Sequence, residues 1–108
     1  MDKNKQIIAI AEYCGWQQVM ELHGYIKGIR PPTRGWITVP DYLNDLNAMH
    51  NAEKHLLNRE GDDWGIYCDN LMDIIVSAAG YSAADLYCHA SAATRAEAFL
   101  KTIGKWEE

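Results

Sequence analysis

At 108 residues the chain is sized for one domain, and its formal net charge of −5 excludes an indiscriminate electrostatic grip on DNA or RNA. No apolar run approaches the roughly 18 residues that a membrane span requires. The N-terminus, Met1-Asp-Lys-Asn-Lys-Gln-Ile-Ile8, lacks the apolar centre of a secretory signal, so a cytoplasmic protein of the host cell is expected.

The first element is a helix over residues 4–14. Asn4 is its expected cap, Ile7, Ala11 and Cys14 its apolar stripe, and Gly15 its left-handed stop, with Trp16 directly after. Residues 17–39 change character. Gly24, Gly28, Gly35 and Pro31-Pro32 exclude a continuous helix, while Val19–His23 and Trp36–Val39 have strand composition. An antiparallel pair is predicted, its irregular tip the Arg30–Gly35 loop, with Tyr25-Ile26 and Ile29 able to add a short piece. Pro40 is predicted to open a second helix at 40–58, since proline suits a first turn, with Asp41 and Asp45 near its positive end. Tyr42, Leu46, Met49, Glu53 and Leu57 fall on its stripe. A third helix is expected over 63–79, with Trp64, Tyr67, Cys68, Leu71, Met72 and Ile75 inward and Gly80 as its stop. Asp85–His89 reads as a short strand. Ser91 then caps a last helix bearing Ala92, Ala96, Phe99, Leu100 and Ile103 on one face, stopped by Gly104, with Trp106 able to fold back over its end. The fold class is therefore α+β: a single compact domain, 1–108, of about four helices packed on a small, mainly antiparallel sheet.

Three blocks carry a family likeness. Ile10-Ala-Glu-Tyr-Cys-Gly-Trp16, Pro40-Asp-Tyr-Leu-Asn-Asp-Leu-Asn-Ala-Met-His-Asn-Ala-Glu53 and Ala93-Thr-Arg-Ala-Glu-Ala-Phe-Leu-Lys-Thr-Ile-Gly-Lys-Trp106 resemble, in that order, the phage ABA sandwich domain family. They cover about a third of the chain and bracket it. The resemblance implies a small phage or prophage protein with helices packed on a short sheet. It implies no activity, and no catalytic or ligand residue transfers with it.

Four Trp and six Tyr against one Phe is an aromatic choice suited to core margins, flat ligands or a homo-oligomer interface. Cys14, Cys68 and Cys88 have no paired spacing and read as reduced, buried thiols. His23, His50, His55 and His89 have no ligand spacing, so no metal site and no cofactor is expected. The strongest local anomaly is charge. Between Glu21 and Asp41 there is no acid, while Lys27, Arg30 and Arg34 all fall there. That window is +3, so the rest of the chain carries −8 to reach the total of −5. Tyr25, Lys27, Arg30, Arg34 and Trp36 offer guanidinium forks, exposed amides and aromatic planes, the parts an anionic flat ligand such as a nucleotide needs. A solvated basic loop or a protein-partner patch has the same composition.

Glu53 and Arg95 come from two blocks expected to pack together, which would make them a partly buried structural pair, as Trp106 would be a structural cap. His50 lies three residues before Glu53 and could act with it as a general base and its orienter, although no nucleophile accompanies them. No phosphate-binding loop, dinucleotide fingerprint or metalloprotease motif is present. The expected function is that of a non-enzymatic phage accessory protein of the counter-defence type, binding and neutralising a host factor. Sequestration of a nucleotide immune signal is one form. Direct inhibition of a host defence complex, in the manner of an anti-CRISPR, is another, and a small enzyme using His50 and Glu53 is a third.

Overall fold

The computed structural model describes residues 1–57, 63–79 and 90–108. Among them are four helices and a three-stranded antiparallel sheet, an α+β domain as the sequence predicts. The expected strand at 85–89, the Gly80 stop, Cys88 and His89 lie outside the described residues.

Helix α1 spans Lys3–Tyr13. Its cap is Asp2 rather than Asn4: the Asp2 carboxylate accepts from the Lys5 amide, and Asn4 instead reaches β1, donating to Glu21 Oε2 at 2.9 Å. Gly15, at φ 98°, ends the helix in a Schellman turn, where the Trp16 amide donates to the Ala11 carbonyl at 3.0 Å. That turn lays the Trp16 indole over the core, where it is buried.

Three strands follow where a pair was predicted: β1 Gln17–Leu22, β2 Tyr25–Ile29 and β3 Trp36–Thr38, in the order β1-β2-β3. His23 (φ 51°) and Gly24 (φ 83°) make the two-residue turn between β1 and β2, and both left-handed residues match the twist of a type I′ hairpin. Gln17 pairs with Ile29 and Met20 with Lys27, so β1 carries one extra residue, a bulge, with Gln18 at φ 52°. Gly28 faces inward. A Cβ there would come within 3.1 Å of Val19 Cγ2 and 3.4 Å of the Trp16 ring, so this position lets the indole pack against the strand.

Residues 42–44 form a turn, and helix α2 begins only at Leu46, running to Leu57. The sequence expectation of a helix from Pro40 fails for a local reason. The Asp41 carboxylate accepts from the Leu43 amide at 3.2 Å and from Asn44 Nδ2 at 2.9 Å, giving the backbone an alternative to the helix. Asp45 is the working cap, accepting from the Asn47 and Ala48 amides at 3.0 and 3.2 Å. Helix α3 spans Asp63–Ala79, and α4 spans Ala92–Thr102 behind its Ser91 cap.

Helix α4 is the hub, with α1, α2 and α3 all packed against it. Its small residues Ala92, Ala96 and Ala98 admit close neighbours, and Phe99 fills the centre with no exposed surface. The Tyr13 ring from α1 meets Phe99 edge-on at 5.3 Å, and the Tyr67 ring from α3 does so at 6.4 Å. Gly104 (φ 74°) repeats the α1 stop, with the Lys105 amide on the Leu100 carbonyl at 2.9 Å. Trp106 then folds back half-buried against the core, 5.9 Å from the Lys101 ammonium.

Candidate functional site

Strand alternation decides where the five predicted ligand residues go. Tyr25, Lys27 and Ile29 project to one side of β2, and Ile26 and Gly28 to the other, which is the buried side. Trp36 pairs with Ile29 and Thr38 with Lys27, so Tyr25, Lys27 and Trp36 share the outer face of the sheet. Arg34 is exposed in the 30–35 loop. Arg30, one step past β2, opens into a cleft between the sheet and α2. The five residues therefore do not converge: three share a face, and Arg30 serves a different place.

The cleft holds about 790 Å³. The α1 stop supplies Cys14, Gly15 and Trp16, and the turns before α2 supply Tyr42 and Asp45. One flank of α2 supplies Asn47, Asn51, Lys54 and His55, spaced i, i+4, i+7, i+8 on a common face. Three basic side chains, two amides and two aromatic rings thus line one concavity. Asp45 is its single carboxylate, and that group is engaged in capping α2. Among the described residues, neither Arg30 nor Lys54 pairs with a carboxylate.

Burial raises Tyr42 above the ordinary phenol range and pushes the Cys14 thiol up to about 12, with the Arg30 guanidinium pulling both down in part. Cys14 is thus a neutral packing group and not a nucleophile. An acid whose folded pKa is raised adds stability that is full below its unfolded value and is lost as pH rises toward the folded one. For Cys14 the window opens near the unfolded thiol value of about 8.5 and closes near 12. Urea midpoints should therefore fall from about pH 9 upward, and Cys14→Ala should flatten the earliest part of that fall, before the tyrosines contribute.

A second cluster lies inside the helical layer. Arg95 Nη1 donates to Glu53 Oε2 at 3.0 Å, and the Tyr67 hydroxyl donates to the same oxygen at 2.6 Å. His50 Nδ1 meets the other oxygen, Oε1, at 2.8 Å. Arg95 Nε donates in turn to the Ala90 carbonyl at 3.2 Å. Glu53 and Arg95 are both buried, joining α2 to α4, and Tyr67 brings in α3. Burial raises the Tyr67 phenol first, then the Glu53 hydrogen bond and charge. Burial is the largest single influence on Arg95 and would lower it, but the Glu53 charge, Tyr67 and the hydrogen bonds to both together outweigh it and raise that group. The half-exposed His50 ring turns Nδ1 to the carboxylate, leaving Nε2 on the other side of the ring. Among the described residues no group of three metal-ligating side chains forms, and no helix is long and apolar enough to cross a membrane.

No family model, curated protein or solved structure matches the chain.

Proposed function

We propose that this chain is a non-enzymatic accessory protein of the phage type that binds and neutralises a host factor, and that it takes a small anionic, nucleotide-like ligand in the cleft beside α2. One observation carries the reading: Arg30 from the sheet side and Lys54 and His55 from α2 line one concavity of about 790 Å³ whose single carboxylate, Asp45, is turned to the Asn47 and Ala48 amides. Guanidinium and ammonium groups suit phosphate, the Asn47 and Asn51 amides suit sugar or base edges, and Trp16 and Tyr42 offer aromatic surface. The phage setting rests on the three blocks that resemble the ABA sandwich family. The test is a thermal melt against linear and cyclic nucleotides. A ligand at 100 times its Kd stabilises the folded state by about 2.7 kcal/mol, a rise of roughly 10 °C for a domain of this size. Arg30→Glu and Lys54→Glu should each abolish the rise, whereas Lys27→Ala, on the outer sheet face, should keep it. No shift with any nucleotide, or a shift indifferent to Arg30, defeats the reading.

A second reading, a small enzyme, is favoured only by the Nδ1–Oε1 contact of His50 and Glu53, which would orient the imidazole as a general base. Turnover lost in a folded His50→Ala protein would carry it.

A further inference from the structure

Among the described residues, the last strand of the sheet is uncovered on both faces and along its outer edge. Alternation puts Trp36 on the outer face and Ile37 on the inner one, yet they are 42% and 43% exposed, and Thr38 is exposed as well. Strand-forming apolar side chains bare on both faces are not explained by packing within the domain. The edge has no partner strand among the described residues either. In the ladder with β2, the Val39 amide donates to the Ile26 carbonyl at 2.8 Å. With Lys27 opposite Thr38 and Gly28 opposite Ile37, antiparallel alternation turns the Ile37 backbone toward β2 and the N–H and C=O groups of Trp36 and Thr38 outward.

The two edges of the sheet differ. Strand β1 is bulged, α1 packs against it, and Asn4 ties down Glu21. Strand β3 is short, at three residues, but has no bulge, no charged residue and no proline within it, the other devices that usually blunt an edge. Charge says what pairs with it. Lys27 stands beside Thr38 on the outer face, and Arg34 lies two residues before Trp36. No acid occurs between Glu21 and Asp41 to balance them. A second copy joined edge to edge would set one acid-free basic hairpin against another, which is repulsive. An acidic strand is complementary.

We propose that the β3 edge, Trp36–Thr38, docks an extended acidic segment of a partner protein as a fourth strand of the sheet. The outward N–H and C=O groups supply main-chain pairing, the recognition mode of strand addition. Lys27 and Arg34 select Glu or Asp on the outer face of the incoming strand, and the exposed Ile37 selects an apolar residue on its inner face. This surface is separate from the α2 cleft and does not depend on it.

The probe is a fluorescein-labelled octapeptide of alternating Glu and Val, followed by anisotropy, with alternating Lys and Val as its counterpart. The acidic peptide should bind saturably and the basic one at least tenfold more weakly. Thr38→Pro deletes an outward amide while sparing the pairing with β2, and should weaken binding at least tenfold, as should Lys27→Glu. Should Thr38→Pro fail to fold, Lys27→Glu and slowed hydrogen exchange at the Trp36 and Thr38 amides on peptide addition decide the matter. Absence of binding, equal binding of both peptides, or binding indifferent to Thr38→Pro in a folded protein overturns the proposal. So does a dimer in sedimentation that Thr38→Pro dissociates, which would make a second copy the occupant.

Discussion

Arg95→Met is expected to destabilise the domain by about 3–5 kcal/mol, the usual cost of stranding one member of a buried ion pair. The reason is the geometry of Glu53, whose carboxylate sits between α2, α3 and α4 with Arg95 as its counter-charge at 3.0 Å. Tyr67 and His50 would still donate to it, but a neutral hydroxyl cannot replace a guanidinium, so a buried anion would remain. Replacing the whole cluster is a different experiment. Glu53→Leu, Arg95→Met and Tyr67→Phe together remove both charges and the orphaned hydroxyl. That triple variant should lie within about 2 kcal/mol of the parent, or above it, because buried pairs often give little net stability over apolar packing. Urea denaturation of the parent, the single variant and the triple variant checks this. A single Arg95→Met variant that loses under 1 kcal/mol, well below that range, would refute the buried-charge account.

Phe99→Ala should have a comparable effect, a loss of about 3–5 kcal/mol. The ring is wholly buried, and it is the surface against which Tyr13 and Tyr67 stand edge-on. Its removal leaves a cavity on α4, against which α1, α2 and α3 all pack, and the backbones around a hub cannot close in without pulling away from other partners. For a domain of this size the melting midpoint should fall by more than 10 °C. A fall of only a few degrees would mean that the core relaxes around the void. Phe99→Leu, which keeps most of the volume, should recover most of the loss.

Much of the helical layer is readable in the sequence, because its signals are local. The 63–79 stripe, the Ser91 cap and the two Gly-then-Trp stops each need only neighbouring residues to act. The Glu53–Arg95 contact is a longer inference, reached from two segments expected to pack, and the structure places the two side chains together at 3.0 Å. The start of α2 is misread because a proline in a first turn and an aspartate that bonds its own downstream amides look alike until the backbone chooses. The middle strand is only hinted at in the sequence, by Tyr25-Ile26 and Ile29, for a different reason. His23-Gly24 is a two-residue turn signal, but His23 also has strand composition and Gly24 by itself says only that no continuous helix runs there. The predicted ligand set divides through period two: Lys27 and Arg30 are close in sequence and alike in charge, and alternation sends them to opposite sides. The flank of α2 with Asn47, Asn51, Lys54 and His55 is visible as a polar stripe, but polarity alone does not say which stripe faces a concavity.

The Glu53 knot also governs how the molecule comes apart. Helices α2, α3 and α4 each contribute a group to one buried carboxylate, so no one of them can leave without abandoning a charge or a hydroxyl in a dry gap. Their loss is all-or-none. The basic hairpin has no such tie, being held by the Trp16–Gly28 contact, Ile26 and one surface amide. The hairpin is therefore expected to open at lower cost than the helical layer, and among the described residues the exposed aromatics Tyr25 and Trp36 both lie on it.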